Sequence, residues 1–299
     1  MNNSPLIATL IASPANPVLT IQVTEKAAAA ASACAPDMLA DGIAADIMLP
    51  AETDAGQASA AVRDALGDLP VDIAIQEAAS RRKRVLIADM DSTMIDQECI
   101  DELAAEVGLK EKVSEITARA MNGEIAFEPA LRERVALLRG LPEGIVDEII
   151  AKRITLAAGG RTLLATMKAN GGHTVLVSGG FTVFTSRIAA TLGFDENHAN
   201  ILEVEDGRLS GTVREPILGK QAKVDTLQRV SAAMSIPASD FIAVGDGAND
   251  LAMLAEAGAG VALHAKPSVA AQAKIRIDHG DLTALLYLQG YRAAEFVTP

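Results

Sequence analysis

The stretch Val85-Leu86-Ile87-Ala88-Asp89-Met90-Asp91-Ser92-Thr93 decides how this chain folds. Four apolar residues, two of them β-branched, run straight into acids, the pattern of a buried parallel strand that ends in a polar loop. A second stretch repeats it: Phe241-Ile242-Ala243-Val244 leads into Gly245-Asp246-Gly247-Ala248-Asn249-Asp250. A third, Thr174-Val175-Leu176-Val177, ends in Ser178-Gly179-Gly180, a hydroxyl and two glycines able to offer backbone N–H groups to an anion. In open α/β sheets ligands bind outside the carboxyl ends of the strands, so these ends are expected to meet in one crevice. A lone Asp after a strand often only caps a helix. Carboxylates brought together from distant sequence, however, repel one another without a cation. Magnesium suits such a place, since it takes one or two carboxylates, retained waters and phosphate oxygens. The expectation is a magnesium-dependent phosphate site.

Between the first and third stretches lie about 80 residues, far beyond a usual connection. Apolar residues recur there at three- and four-residue intervals over 101–107, 113–121, 128–138 and 143–154, which predicts a small helical cap inserted at about 97–165. Such a lid would keep water out during phosphoryl transfer. Further on, Asp206-Gly207-Arg208 between two alternating runs predicts a hairpin, and 259–262 and 275–277 read as two more strands. The basic run Arg81-Arg82-Lys83-Arg84 is expected to be a solvated linker that marks a boundary. Ahead of it, 5–13, 42–49 and 71–76 read as strands and 23–34 and 55–69 as helices, so residues 1–80 are expected to form a separate small α+β domain and 81–299 the larger one.

Composition narrows the class of function. A formal charge of −13 disfavours nucleic acid and anionic membranes as partners. The longest apolar runs are strand-sized, too short to span a bilayer, and residues 1–14 lack the basic start and cleavage site of a signal peptide, so a cytoplasmic protein is expected. With two cysteines, Cys34 and Cys99, no disulfide framework is expected, and Cys99 is read as a packing residue.

The set DMDST (89–93), the strand ending in SGG (178–180), Lys223 and GDGAND (245–250) resembles the four motifs of the haloacid dehalogenase superfamily of phosphohydrolases, and within it the phosphoserine phosphatases. The likeness runs from about Arg84 to the C-terminus. It implies a Rossmann-like α/β core with a parallel sheet, Mg2+ as cofactor, and hydrolysis of O-phospho-L-serine, the last step of L-serine biosynthesis. Asp89 would be the nucleophile, forming an aspartyl-phosphate, and Asp91 the general acid and base. Asp89, Asp246 and Asp91, the last through its backbone carbonyl, would bind the metal, with Asp250 orienting its waters or Lys223. Ser178, Gly179, Lys223 and Asn249 would hold the phosphoryl group, though Lys220 competes with Lys223 and family spacing alone separates them. In the cap, Glu98 matches the group that takes the substrate ammonium and Arg134 the one that takes its carboxylate, with Arg132 the neighbour most easily confused with it. Met121 and Phe127 match residues that close over the amino acid. The first 80 residues resemble an ACT-like, ferredoxin-like module with one strand not evident, read as a dimerisation or packing unit. Two rival readings are a phosphotransferase or phosphatase for another small phosphomonoester, and a regulatory amino-acid-binding protein with a vestigial phosphatase half.

Overall fold

The structure, a computed structural model, describes residues 4–121 and 124–298, with Met121 described by its backbone alone. The chain begins with β1 (Leu6–Ala12), α1 (Ile21–Ala30), β2 (Asp37–Ala40), β3 (Ala44–Met48), α2 (Ala55–Leu66) and β4 (Val71–Glu77). These four strands form an antiparallel sheet in the order β2-β3-β1-β4, and the βαββαβ sequence is the ferredoxin-like arrangement. The strand not evident from sequence is β2. It is four residues long and starts directly after Pro36, too short to show alternation. Both helices are capped by the side chain before them, Thr20 for α1 and Asp54 for α2. They stop earlier than periodicity suggests: α2 ends at Leu66 because Gly67 turns to φ 58°.

β1 reads as an apolar run broken only by Thr9, whose hydroxyl is satisfied by Asp46, because both its faces are covered. Ala8, Leu10 and Ala12 pack under α1 and α2, whereas Ile11 joins Ala44 and Ala74 in the core of the larger unit.

That larger unit starts with β5 (Val85–Ala88), followed by α3 (Cys99–Glu106), α4 (Lys110–Met121), α5 (Phe127–Ala136), α6 (Ile145–Arg153) and α7 (Gly160–Ala169). Then come β6 (His173–Phe181), α8 (Thr182–Leu192), β7 (Glu196–Asn200), the hairpin β8 (Leu202–Glu205) and β9 (Arg208–Val213), and α9 (Lys220–Met234). The last elements are β10 (Phe241–Gly245), α10 (Leu251–Glu256), β11 (Ala259–Leu263), α11 (Pro267–Ala270), β12 (Ile275–Ile277) and α12 (Ala284–Leu288). Six strands make a wholly parallel sheet in the order β12-β11-β10-β5-β6-β7. β5 lies between β10 and β6, so the three sequence stretches that end in acids or glycines are neighbours. Ala88 is in register with Val244 on one side and Leu176 on the other.

The helices α3 to α6 form the cap. Their neck is closed by a bridge between Ile95 and Leu156, while α7 packs back on β6 and α8.

The basic run is only in part a solvated linker: Arg82 and Arg84 are exposed, whereas Lys83 is buried and Arg81 partly so. Lys83 is 7% exposed and donates from Nζ to the Ser239 carbonyl at 2.6 Å; Arg81 pairs with Asp46 at 2.7 Å, and the Arg82 guanidinium stacks 3.6 Å from the centre of the Tyr291 ring. Long basic side chains can bury their stems and still place the head on an acceptor, which sequence polarity alone does not reveal. A second tie joins the units: the buried Asp72 carboxylate of β4 accepts from the backbone N–H groups of Asp278 (2.8 Å), His279 (3.1 Å) and Gly280 (2.8 Å) beyond β12. Among the described residues no helix is long and apolar enough to cross a membrane.

Candidate active site

Parallel pairing of β5 with β10 delivers Asp89 and Asp246 side by side; the Asp89 N–H continues the ladder to the Val244 carbonyl at 3.0 Å. Asp250 enters from the start of α10, and ligand oxygens of Asp89, Asp246 and Asp250 all lie within 4.8 Å of one another. Asp250 is locked by the Gly247 N–H at 3.0 Å. Gly245 is required beside it, since a Cβ there would sit 2.4 Å from the Asp250 Cγ.

Lys223, in the first turns of α9, is 2% exposed and bridges Asp89 (2.7 Å) and Asp250 (2.5 Å). Burial works against its charge, but the two carboxylates win and hold its pKa above the ordinary value. Lys220 instead is exposed on the cavity rim, so the structure separates the two lysines that sequence alone left in competition.

Burial, reinforced by Asp250, pushes the Asp89 carboxyl well up against the opposing pull of Lys223. Burial likewise pushes Asp246 up to about 7, with Lys266, 3.8 Å away, pulling the other way. The donors are thus all oxygens, with more negative charge than the nearby ammonium groups neutralise. That is the donor chemistry a hard divalent cation such as Mg2+ fits.

Asp91 faces the same space from two residues on. The Cys99 N–H (2.9 Å) and the Ser178 hydroxyl (3.2 Å) donate to it, while burial and then the Glu98 charge push its pKa up to about 6. Ser178 in turn accepts from the Gly180 N–H at 2.8 Å, and a Cβ on Gly180 would come within 2.9 Å of the Asp91 Oδ2. The two carboxyl groups therefore sit in different environments: Asp89 is tied to an ammonium and Asp91 to neutral donors. Cys99 itself is buried, and burial beside Asp91 drives its thiol well above the ordinary value, away from thiolate chemistry.

The cap covers this edge and encloses a cavity of about 950 Å³. Its lining brings together Asp89, Asp91, Ser178, Gly179, Asp246 and Asn249 from the core with Glu98, Phe127 and Arg134 from the cap side. Lys223 and Asp250 form the layer behind that wall. Phe127 opens α5 and packs over the backbone of Gly179 and Gly219. Glu98 precedes α3 and accepts from the Ser92 hydroxyl at 2.8 Å; Ser92 adopts φ 55°, an uncommon conformation for a non-glycine residue.

Arg134 is 7% exposed, and among the described residues no carboxylate lies within ion-pair distance of it. Its Nε donates to the Ala130 carbonyl (3.2 Å) and its Nη1 to the Thr117 hydroxyl (2.9 Å); burial lowers its pKa against the opposing fields of Glu98, Asp101 and Asp91. Arg132 points away, exposed and paired with Glu215 at 2.7 Å. The side chain of Met121, expected to close over the ligand, lies outside the described residues, as do Asn122 and Gly123. Thr117, Ser92 and Lys266 were not singled out from sequence. Each acts through a charged neighbour, and a hydroxyl or lysine on its own carries no signal of that.

Residues 86–255 match the family of haloacid dehalogenase-like hydrolases. A phosphoserine phosphatase from Streptomyces coelicolor is 44% identical over 229 residues, covering 76% of this chain, which thereby spans 56% of that longer relative. One from Lactococcus lactis is 46% identical over 68% of this chain and 94% of its own length. The crystal structure of a HAD family hydrolase from Salmonella enterica serovar Typhi superposes with a TM-score of 0.85 at 30% identity, covering 95% of this chain and 98% of that one, so its likeness includes the N-terminal sheet. With two acids just past the end of β5, a lysine bridge behind them, a third acid just past the end of β10 and a helical cap over the sheet edge, the chain belongs to the haloacid dehalogenase-like hydrolases.

Proposed function

We propose that the protein is a magnesium-dependent phosphoserine phosphatase, which hydrolyses O-phospho-L-serine to L-serine and phosphate as the last step of serine biosynthesis in the cytoplasm. The observation that carries this reading is the buried Arg134 guanidinium without a carboxylate partner among the described residues, lining the same cavity as Glu98, Asp89 and Asp91. A buried guanidinium left unpaired is costly, and a ligand carboxylate removes that cost while forking onto it. Glu98 supplies the opposite charge for an ammonium. A substrate with carboxylate, ammonium and phosphate on one small frame satisfies all three regions at once.

In this reading Asp89 attacks phosphorus in line and the serine alkoxide leaves, with Asp91 giving it a proton. A carboxyl pushed up to about 6 can hold that proton close to neutral pH and later take one from the water that attacks the aspartyl-phosphate. Ser178, the Gly179 backbone and Asn249 orient the phosphoryl oxygens, and Lys223 stays charged beside the nucleophile. Asp89, Asp246 and the Asp91 carbonyl would hold Mg2+, with Asp250 steadying the set, and the ion would supply the positive charge that lets one anion approach another. Phe127 and the cap exclude water. The unit of residues 1–80 is read as an ACT-like module that packs on the phosphatase unit of 81–299 or joins two copies.

The test is phosphate release from phosphoserine, phosphothreonine and phosphoethanolamine, with Mg2+ and with EDTA. Phosphoserine should lead the panel and EDTA should stop turnover. Equal rates on phosphoserine and phosphoethanolamine, or an Arg134→Ala variant with unchanged preference, would refute the substrate assignment.

A further inference from the structure

We infer that Thr117 is a positioning residue for substrate selection: it fixes which edge of the Arg134 guanidinium is offered to a carboxylate. The inference deepens the phosphoserine reading and rests on it.

A guanidinium has five N–H donors in a rigid plane, and a carboxylate can fork either onto Nε with one terminal nitrogen or end-on across the two terminal nitrogens. In this protein the first choice is taken up. The Arg134 Nε already donates to the Ala130 carbonyl, one turn back on α5, at 3.2 Å. One proton of Nη1 goes to the Thr117 hydroxyl on α4 at 2.9 Å. That hydroxyl has its own proton committed to the Val113 carbonyl at 3.0 Å, so it meets Arg134 as an acceptor. Two helices thus hold the plane from two directions, and what remains is the second Nη1 proton and both Nη2 protons. All three sit on the terminal nitrogens, from which an end-on fork draws its donors.

Thr117 and Arg134 both line the cavity, and Arg134 is 7% exposed, so losing the Thr117 acceptor removes one of the two fixed contacts that hold a largely buried guanidinium. Without it the plane is held by the Nε hydrogen bond alone and can pivot about that contact. The chemistry at Asp89 and Asp91 does not pass through Thr117.

The experiment compares wild type, Thr117→Val and Thr117→Ser as magnesium-loaded enzymes, measuring kcat and KM on phosphoserine and on phosphoethanolamine, which keeps the ammonium and lacks the carboxylate. Losing a hydrogen bond to a buried charged group predicts a fall in kcat/KM on phosphoserine of roughly 10- to 150-fold for Thr117→Val, carried mainly by KM. On phosphoethanolamine the change should stay within about twofold by the same reasoning, and Thr117→Ser should restore phosphoserine turnover. Equal losses on both substrates would overturn the inference and make Thr117 a packing residue; so would undiminished phosphoserine kcat/KM in Thr117→Val. If Thr117→Val fails to fold, Thr117→Ala, which also removes the acceptor, decides instead: a loss on phosphoserine no larger than on phosphoethanolamine overturns it. A wild type without preference for phosphoserine would sink the substrate reading itself, a result separate from any effect of the variants.

Discussion

Lys223→Met replaces a fully buried ammonium with an apolar chain of similar length. The ammonium is 2.7 Å from Asp89 and 2.5 Å from Asp250, at 2% exposure. Each charge-assisted contact contributes about 1.5–3 kcal/mol, so their joint loss should cost about 3–6 kcal/mol in metal-free protein. The change leaves three carboxylates whose oxygens lie within 4.8 Å of one another, with the partly exposed Lys266 as the nearest remaining cation named on the acidic site. A divalent cation then has more charge to neutralise, so Mg2+ should raise the stability of the variant by more than it raises wild type. For wild type, Mg2+ at about 100 times its Kd should add about 2.7 kcal/mol. Turnover should also fall, by about 100- to 1,000-fold, the usual loss when one preorganised donor to a developing anion is removed. Urea unfolding followed in EDTA and in Mg2+, beside phosphate-release kinetics in saturating Mg2+, reads all three. A variant as stable as wild type in EDTA, or a kcat within tenfold of wild type, would refute the assignment of Lys223 as the bridge between nucleophile and acidic cluster.

Three further outcomes follow from the same geometry. Asp89→Asn should abolish turnover while the protein stays folded; near-normal phosphate release from folded variant would exclude a covalent route through Asp89. Asp72→Ala should cost about 3 kcal/mol, because it strands the N–H groups of residues 278–280 at about 1 kcal/mol or more each, and unfolding in urea with intact active-site chemistry would show it. In metal-free protein, stability should rise as pH falls from about 8 to about 5, because Asp246 and Asp91 are raised to about 7 and about 6. The sign follows from linkage: a carboxyl raised by folding binds its proton more tightly in the native state, so its contribution is present below the unfolded value and is lost as pH rises through the folded one. Urea midpoints across that range should show the slope in EDTA and a weaker one in Mg2+; a slope of opposite sign in EDTA would count against buried, unneutralised carboxyls.

Much of the architecture was legible because apolar pattern and loop chemistry are local. The strands β5, β6 and β10 announce themselves as short buried runs ending in acids or glycines, and their parallel pairing follows from the long connections between them. The helical cap showed its period, and the hairpin showed its Asp206-Gly207 turn, both residues at positive φ. β2 was not legible, since four residues cannot display alternation and its burial comes from distant neighbours.

The sequence by itself determined that acids and a glycine-rich strand end lie at one sheet edge under a helical insertion, because each is encoded in a local pattern of residues. The tertiary structure decided between lookalikes. Lys223 rather than Lys220 faces Asp89, because Lys220 opens α9 at the exposed rim and Lys223 lies nearly one turn further along the same side of the helix, where it is buried. Arg134 rather than Arg132 faces the cavity, because two residues along α5 place them on nearly opposite sides of the helix. The basic run became a tie between the two units, through Arg81 to Asp46 and Lys83 to Ser239, for a related reason: what a charged side chain touches depends on partners remote in sequence. Chain neighbours fix which groups are available, and only packing fixes which of them are desolvated and paired.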